Sequence, residues 1–298
     1  MHVAAVDAGG TRTRFELRDP SGSVLAEGES ATCHPAQVGV GAMAQGVLAG
    51  VARVCGEAGV PLADVAVSVG LAGFGPGREG PLREALGHAF PDAAALLVAS
   101  DAEAARLGAL GGADGVLMVA GTGSIAVASF DGRAVRVGGW GWPVGDEGSG
   151  SWLGREAVGT ALRQHDGREP RSPLLSDAVC RSLDAASPED IVSMLARTQD
   201  QRRLLARAAP AVFEAASAGD PAALALVDRT AGELALLADV AAAGHPGAPV
   251  SWTGGLLSAG DILLGPFTRA LAPGLVPTPP AGTPLDGAFL AAARALNL

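Results

Sequence analysis

The chain has no lysine: all 21 cationic side chains among its 298 residues are arginine. That absence excludes the P-loop nucleotide fold and the protein-kinase fold together, because each sets a lysine against the nucleotide phosphates. Cysteine is nearly as scarce. Cys33, Cys55 and Cys180 are odd in number, widely scattered, and without the close spacing of a disulfide framework or a metal site. Cys55 and Cys180 therefore read as small buried hydrophobes. No uninterrupted run of about 18 apolar residues is present to cross a membrane. Met1-His2-Val3-Ala4-Ala5-Val6 has no basic stretch ahead of its apolar run, so no signal peptide is expected and a cytoplasmic location follows. Positive charge is in deficit, 21 basic against 31 acidic residues and a net charge of -10. Nucleic acid and anionic membranes are disfavoured as main partners, since both are bound through clustered Lys and Arg.

What is present is a repeated pattern. Val3 to Val6 runs into Asp7-Ala8-Gly9-Gly10-Thr11-Arg12-Thr13, and Val116 to Val119 runs into Ala120-Gly121-Thr122-Gly123-Ser124, each followed by a second strand. Two copies of strand, glycine-hydroxyl turn and strand suggest a duplicated fold holding a polyphosphate. The opening reads as strands Val3–Val6, Thr13–Arg18 and Val24–Glu29, a helix over 36–56, a strand Val65–Leu71, a helix Glu79–His88, a strand Leu96–Ala99 and a helix Asp101–Ala109. The same grammar restarts at Gly115. A helical insert follows, with Asp220-Pro221 as an N-cap and first-turn proline, then a strand over 249–253 and a last helix from Asp286 to Leu296. The length exceeds what one core organises. Two domains are expected, 1–114 completed by the helix 286–298, and 115–285, with a site in the cleft between them.

Asp7 ends a strand beside the first loop, where a carboxylate can hold magnesium through water. Gly9, Gly10, Thr11 and Thr13 offer backbone and hydroxyl donors to phosphate. Gly121, Thr122, Gly123 and Ser124 repeat that offer. Asp101 follows a short strand and opens a helix, so it is either an N-cap, a role Ser100 could also take, or a base at a strand end. The segment from Trp140 to Ser149 gathers two tryptophans, three glycines and the pair Asp146-Glu147. Such a stretch is costly to order unless backbone must approach something closely.

Two β-β-β-α-β-α-β-type halves with hairpin phosphate loops resemble the ribonuclease H-like α/β domains of the actin-like ATPase and sugar-kinase superfamily. Within it the chain is similar to the family that groups N-acetylglucosamine kinases with the BadF/BadG/BcrA/BcrD ATPases. The resemblance spans essentially the whole chain. It rests on Asp7 to Thr13, Ser100-Asp101-Ala102, Gly121 to Ser124, Gly138 to Ser149 and Thr253-Gly254-Gly255. It implies ATP and Mg2+ as cofactors, Asp101 as the base on a sugar hydroxyl, and Trp140, Gly141 and Asp146 as sugar contacts with Glu147 behind them. Gly254 and Gly255 are implied to lie against adenosine. The implied reaction is transfer to the 6-hydroxyl of an amino sugar, N-acetylglucosamine first and glucosamine next. Its partners are then ATP and the sugar, with a homodimer left open. Two departures bear on the sugar. Cys33, beside His34, stands where the amino-sugar kinases have Asn, and Ile125 stands where eukaryotic relatives have Asn. The other branch of the family, an ATPase activating a dehydratase or reductase, needs an iron–sulfur cluster for which the three cysteines offer no pair. A non-catalytic sugar sensor of the same fold is the third alternative.

Overall fold

The structure is a computed structural model and describes residues 1–75 and 77–297. It divides into two compact units, Met1–Ala113 with Pro279–Leu298, and Asp114–Thr278. In the first unit β1 (His2–Ala8), β2 (Arg12–Arg18) and β3 (Val24–Ala31) form an antiparallel meander. They are followed by α1 (Pro35–Val38), α2 (Val40–Ala58), β4 (Val65–Leu71), α3 (Glu79–Ala89), β5 (Ala95–Ser100) and α4 (Asp101–Ala109). The sheet order is β3-β2-β1-β4-β5, with β4 and β5 parallel to β1. β4, in the sequence Val-Ala-Val-Ser-Val-Gly-Leu, is buried along its whole length, as a strand covered on both faces must be. β2 alternates instead, and Thr13, Phe15 and Leu17 face the core.

The expected helix over 36–56 is broken at Gly39. At φ 84° this residue leaves the right-handed region, closes α1 through its N–H on the Pro35 carbonyl and opens α2.

The second unit repeats the plan with β6 (Gly115–Ala120), β7 (Ser124–Phe130) and β8 (Arg133–Gly138). Six helices come next: α5 (Gly150–His165), α6 (Pro173–Ser182), α7 (Pro188–Arg197), α8 (Gln201–Ala206), α9 (Ala209–Ser217) and α10 (Pro221–Ala241). β9 (Pro249–Thr253), α11 (Asp261–Ala270) and the two-residue β10 (Val276–Pro277) complete it. Read from the β8 edge, the order β8-β7-β6-β9-β10 reproduces that of the first sheet, and β9 lies parallel to β6. The fold class expected from the sequence is therefore the observed one. Asp220 caps α10 as expected, accepting the amides of Ala222 and Ala223, while its second oxygen takes Ser172 and the Leu175 amide. α11 and β10 were not anticipated. Pro266 interrupts the pattern inside α11, and β10 is too short to leave a periodic signal.

α12 (Pro284–Leu296) belongs to the first unit and begins two residues before the expected start, because Thr283 and Asp286 form a capping box. α12 meets α4 at almost backbone contact. A Cβ on Gly287 would lie 1.8 Å from the Ala104 carbonyl oxygen, and one on Gly108 would lie 1.8 Å from that of Thr283. Small-to-large changes at such a crossing cost about 1–3 kcal/mol or more. Gly287→Ala is expected to lower the melting temperature by several degrees in calorimetry, whereas Gly80→Ala, which meets nothing within 4 Å, is not.

Candidate active site

The first loop joins β1 to β2 after the Ala8–Thr13 pair, and the Gly9 N–H closes it on the Arg12 carbonyl at 3.1 Å. Its next two carbonyls are held from behind. Thr32 donates its hydroxyl to the Gly9 oxygen and Gln37 its amide to the Gly10 oxygen, both at 2.8 Å. In a trans peptide the N–H points opposite to the C=O, so these bonds aim the Gly10 and Thr11 amides the other way. The exposed Thr11 hydroxyl lies beside them.

The second loop joins β6 to β7 after the Ala120–Ser124 pair, and the Gly121 N–H closes it on the Gly123 carbonyl at 2.8 Å. Here the restraining donors are the first amides of α5. Gly150 bonds the Gly121 oxygen at 2.8 Å and Ser151 bonds the Thr122 oxygen at 3.3 Å, so the Thr122 and Gly123 amides face outward. Ser149 caps the same helix through Trp152 N–H.

Thr13 and Ser124 do not join the outward-facing donors. Strand alternation turns both to the core side, with Phe15 and Leu17 in one case and Ala126 and Ala128 in the other. Thr13 Oγ1 accepts the Cys33 N–H at 3.0 Å, and Ser124 Oγ donates to the Glu147 carbonyl at 2.5 Å. Gly9 and Gly121 likewise spend their amides within their own turns.

In the first unit the strand register sets Asp7 beside Gly70 and Gly70 beside Ala99, so Asp7 and Asp101 share one end of the sheet. Gly70 lets α4 approach, since a Cβ there would meet that of Ala104 at 2.6 Å. Asp7 Oδ2 accepts Arg14 Nη2 at 2.6 Å and Nε at 3.2 Å, and Oδ1 has no partner among the described residues. Ser100, not Asp101, caps α4, its hydroxyl accepting the Glu103 N–H at 3.1 Å. Asp101 uses one oxygen on the Ala102 N–H at 2.9 Å and keeps the other free of protein partners among the described residues. Burial pushes its carboxyl above the usual range. The Ala102 N–H opposes this, Asp7 adds to it and His34 opposes it. His34 caps α1, its Nδ1 accepting the Ala36 N–H at 3.2 Å.

In the second unit Gly121, Thr122 and Gly150 share a cavity of about 350 Å3 with Ala206, Ala209, Phe213, Gly255 and Leu256. Its size and mainly apolar lining suit a small-molecule ligand. Gly254 is required by its backbone. Its φ is 106°, and a Cβ would lie 2.3 Å from the Ala120 oxygen. Gly255 faces open space.

Trp140 is 82% exposed, with the Arg136 guanidinium 5.7 Å from its ring centre. The Gly141 N–H is given to Asp146 Oδ1 at 3.3 Å. Asp146 departs from the expectation of an open hydroxyl acceptor: it is 3% exposed and its Oδ2 lies 2.9 Å from Arg202 Nη2. Its backbone is left-handed, with φ 62°. The sequence offered no signal for Arg202, which lies 56 positions away in the helical insert. Thr32, Gln37 and Arg14 were likewise missed, as partners set by tertiary placement. Cys33 and Cys55 are buried and Cys180 is half-buried; burial pushes the thiols of Cys55 and Cys180 up, which disfavours their thiolates.

Two outcomes follow from these environments. A carboxyl raised above its unfolded value binds more protons in the native state, so the stability cost of ionised Asp101 is present at neutral pH and is relieved as pH falls through the raised value. Asp101→Asn is therefore expected to melt above the wild type at pH 7, with the gap closing below about pH 4. Gly254→Ala is expected to lower the melting temperature markedly in calorimetry, whereas Gly255→Ala melts like the wild type.

Glucosamine kinase of Vibrio cholerae is 29% identical over 235 residues, 78% of this chain and 78% of that protein. An N-acetylmuramic acid/N-acetylglucosamine kinase of Clostridium acetobutylicum is 28% identical over 240 residues, 79% of this chain and 77% of that protein. A solved structure from Chromobacterium violaceum, described provisionally as an N-acetylglucosamine kinase, is 33% identical and superposes with a TM-score of 0.77, covering 97% of this chain and 98% of that one. No helix among the described residues is long and apolar enough to cross a membrane. Residues 5–263 match the family of BadF/BadG/BcrA/BcrD ATPases, and the chain belongs to that family.

Proposed function

We propose that this chain is an ATP-dependent amino-sugar kinase that phosphorylates the 6-hydroxyl of its sugar, N-acetylglucosamine in first place and glucosamine next. The observation that carries the reading is the state of Asp101. A serine takes over its capping duty, and a buried carboxyl at a strand end keeps one oxygen free. Raised basicity suits it to take a proton from a hydroxyl. The relatives named as glucosamine kinase and N-acetylmuramic acid/N-acetylglucosamine kinase support the same class of acceptor.

The adenosine of ATP is assigned to the cavity between Thr122 and Gly255, and its phosphates to the outward amides of Thr122 and Gly123. In the first unit Gly10 and Thr11 offer a second pair of outward amides. Fixed amides of this kind meet charge on the transferring group without reorganising. The donor set also fits magnesium. Among the described residues no group of three or more His, Cys, Asp or Glu could hold an ion alone, and Mg2+ is usually held by one or two carboxylates with phosphate oxygens and water. Asp7, with Oδ1 open, would be that carboxylate, and the ion would supply charge neutralisation on the phosphates. Asp101 takes the proton as the phosphoryl group passes to the sugar oxygen. Trp140 and Gly141 are assigned to the sugar, and Asp146 to holding their loop rather than to a hydroxyl.

Two measurements test the proposal. Asp101→Asn is expected to abolish sugar-phosphate formation while ADP binding persists, and retention of more than about a few per cent of activity removes the base assignment. An ADP-release screen over N-acetylglucosamine, glucosamine, N-acetylmuramic acid, N-acetylmannosamine and glucose is expected to rank N-acetylglucosamine first, with phosphorus NMR placing the phosphate on O6. Phosphate on another hydroxyl refutes that regiochemistry.

A further inference from the structure

Arg202 stands against the second glycine loop in an unfinished interaction. Its Nη2 lies 2.9 Å from Asp146 Oδ2, yet the two are misaligned, so neither Asp146 Oδ2 nor Arg202 Nε makes a hydrogen bond although both atoms are buried. The Asp146 side chain is 4% exposed, whereas that of Arg202 is 40% exposed. A buried polar atom without a partner is uncommon and costly, and of the two it is Arg202 Nε–H, a donor, that an anionic oxygen would satisfy. The guanidinium also reaches the loop: a Cβ on Gly123 would lie 2.1 Å from Arg202 Nη2. A side chain at position 123 would displace this guanidinium.

The helix carrying it points to the ligand. Arg202 and Ala206 are four residues apart on α8 and so lie on one face, and Ala206 lines the cavity together with Gly121 and Thr122. Arg202 does not itself line the cavity; it stands against Gly123, the next residue of the loop that does. Other donors at this loop are neutral amides. Resting on the nucleotide reading above, we infer that Arg202 is the cation that binds the nucleotide phosphate at the second loop, the charge of Asp146 keeping it beside Gly123 and its unpaired Nε–H being left for a phosphate oxygen. A guanidinium forks onto phosphate through paired N–H groups and stays charged at any working pH, so it can fill in this lysine-free chain the role that lysine has elsewhere.

Calorimetry with ADP and with adenosine, both without magnesium, separates the possibilities. Arg202→Ala is expected to weaken ADP about tenfold or more and leave adenosine within about twofold, since adenosine lacks the phosphate. Arg202→Lys is expected to recover part of the ADP affinity, because charge is kept and the fork is lost. Unchanged ADP affinity in Arg202→Ala overturns the inference. Equal loss of ADP and adenosine also overturns it, as it shows a merely structural role, and so does an Arg202→Lys variant no better than Arg202→Ala. A wild type that binds neither compound refutes the nucleotide reading itself, an outcome distinct from all of these.

Discussion

Both glycine loops depend on one constraint, the capture of their carbonyl oxygens from behind. Thr32 and Gln37 do this for Gly9 and Gly10, and the first two amides of α5 do it for Gly121 and Thr122. Two captured carbonyls in each loop fix two outward amides by peptide planarity alone. The surrounding sequence follows from that need. Gly254 must be glycine so that β9 can turn beneath the Ala120 oxygen, which accepts the Leu256 N–H at 3.0 Å. Ser149 must cap α5 because the next two amides are committed to the loop. An anion held in this way meets dipoles already in place, and their ordering cost was met in folding.

The duplication is close in backbone and unequal in chemistry. Matching the last hairpin pairs, Ala8–Thr13 and Ala120–Ser124, sets Asp7 opposite Val119. Only the first loop has a carboxylate at its mouth, and only the first unit has Asp101 nearby. The second unit has instead an apolar cavity and a buried carboxylate from a distant loop. Even the restraining donors differ, two side chains in one copy and a helix terminus in the other. Division of labour has thus been placed on a shared hairpin by what surrounds it.

Much of this was legible in the sequence because it is local. Hydrophobic period and turn residues located the strands β1 to β9, the two loops and the Asp220 cap, and the repeated order gave the fold class. What was not legible is what one segment does to another. Thr13 and Ser124 look like phosphate ligands by type, but register sends them inward. Asp146 looks like an open acceptor, but tertiary packing buries it beside Arg202 and the Gly141 N–H. Asp101 was ambiguous between cap and base, and the Ser100 hydroxyl on Glu103 N–H takes the cap, which leaves Asp101 available for the proposed base role. α11 escaped because Pro266 breaks its pattern, while burial of Leu263 and Phe267 holds the helix regardless.

The absence of lysine has a structural counterpart. A lysine ammonium is a compact, mobile charge that can follow a phosphate through a reaction, whereas a guanidinium is rigid and needs to be aimed. Arg14 and Arg202 are each aimed by an aspartate, one at the mouth of the first loop and one beside the second. Their charges are thereby partly balanced, which suits a chain of net charge -10 that must still receive a polyanion. Attraction at long range is weak in such a protein. Recognition of an anion by such a chain rests on short-range geometry, on fixed amides and aimed side chains, more than on net charge.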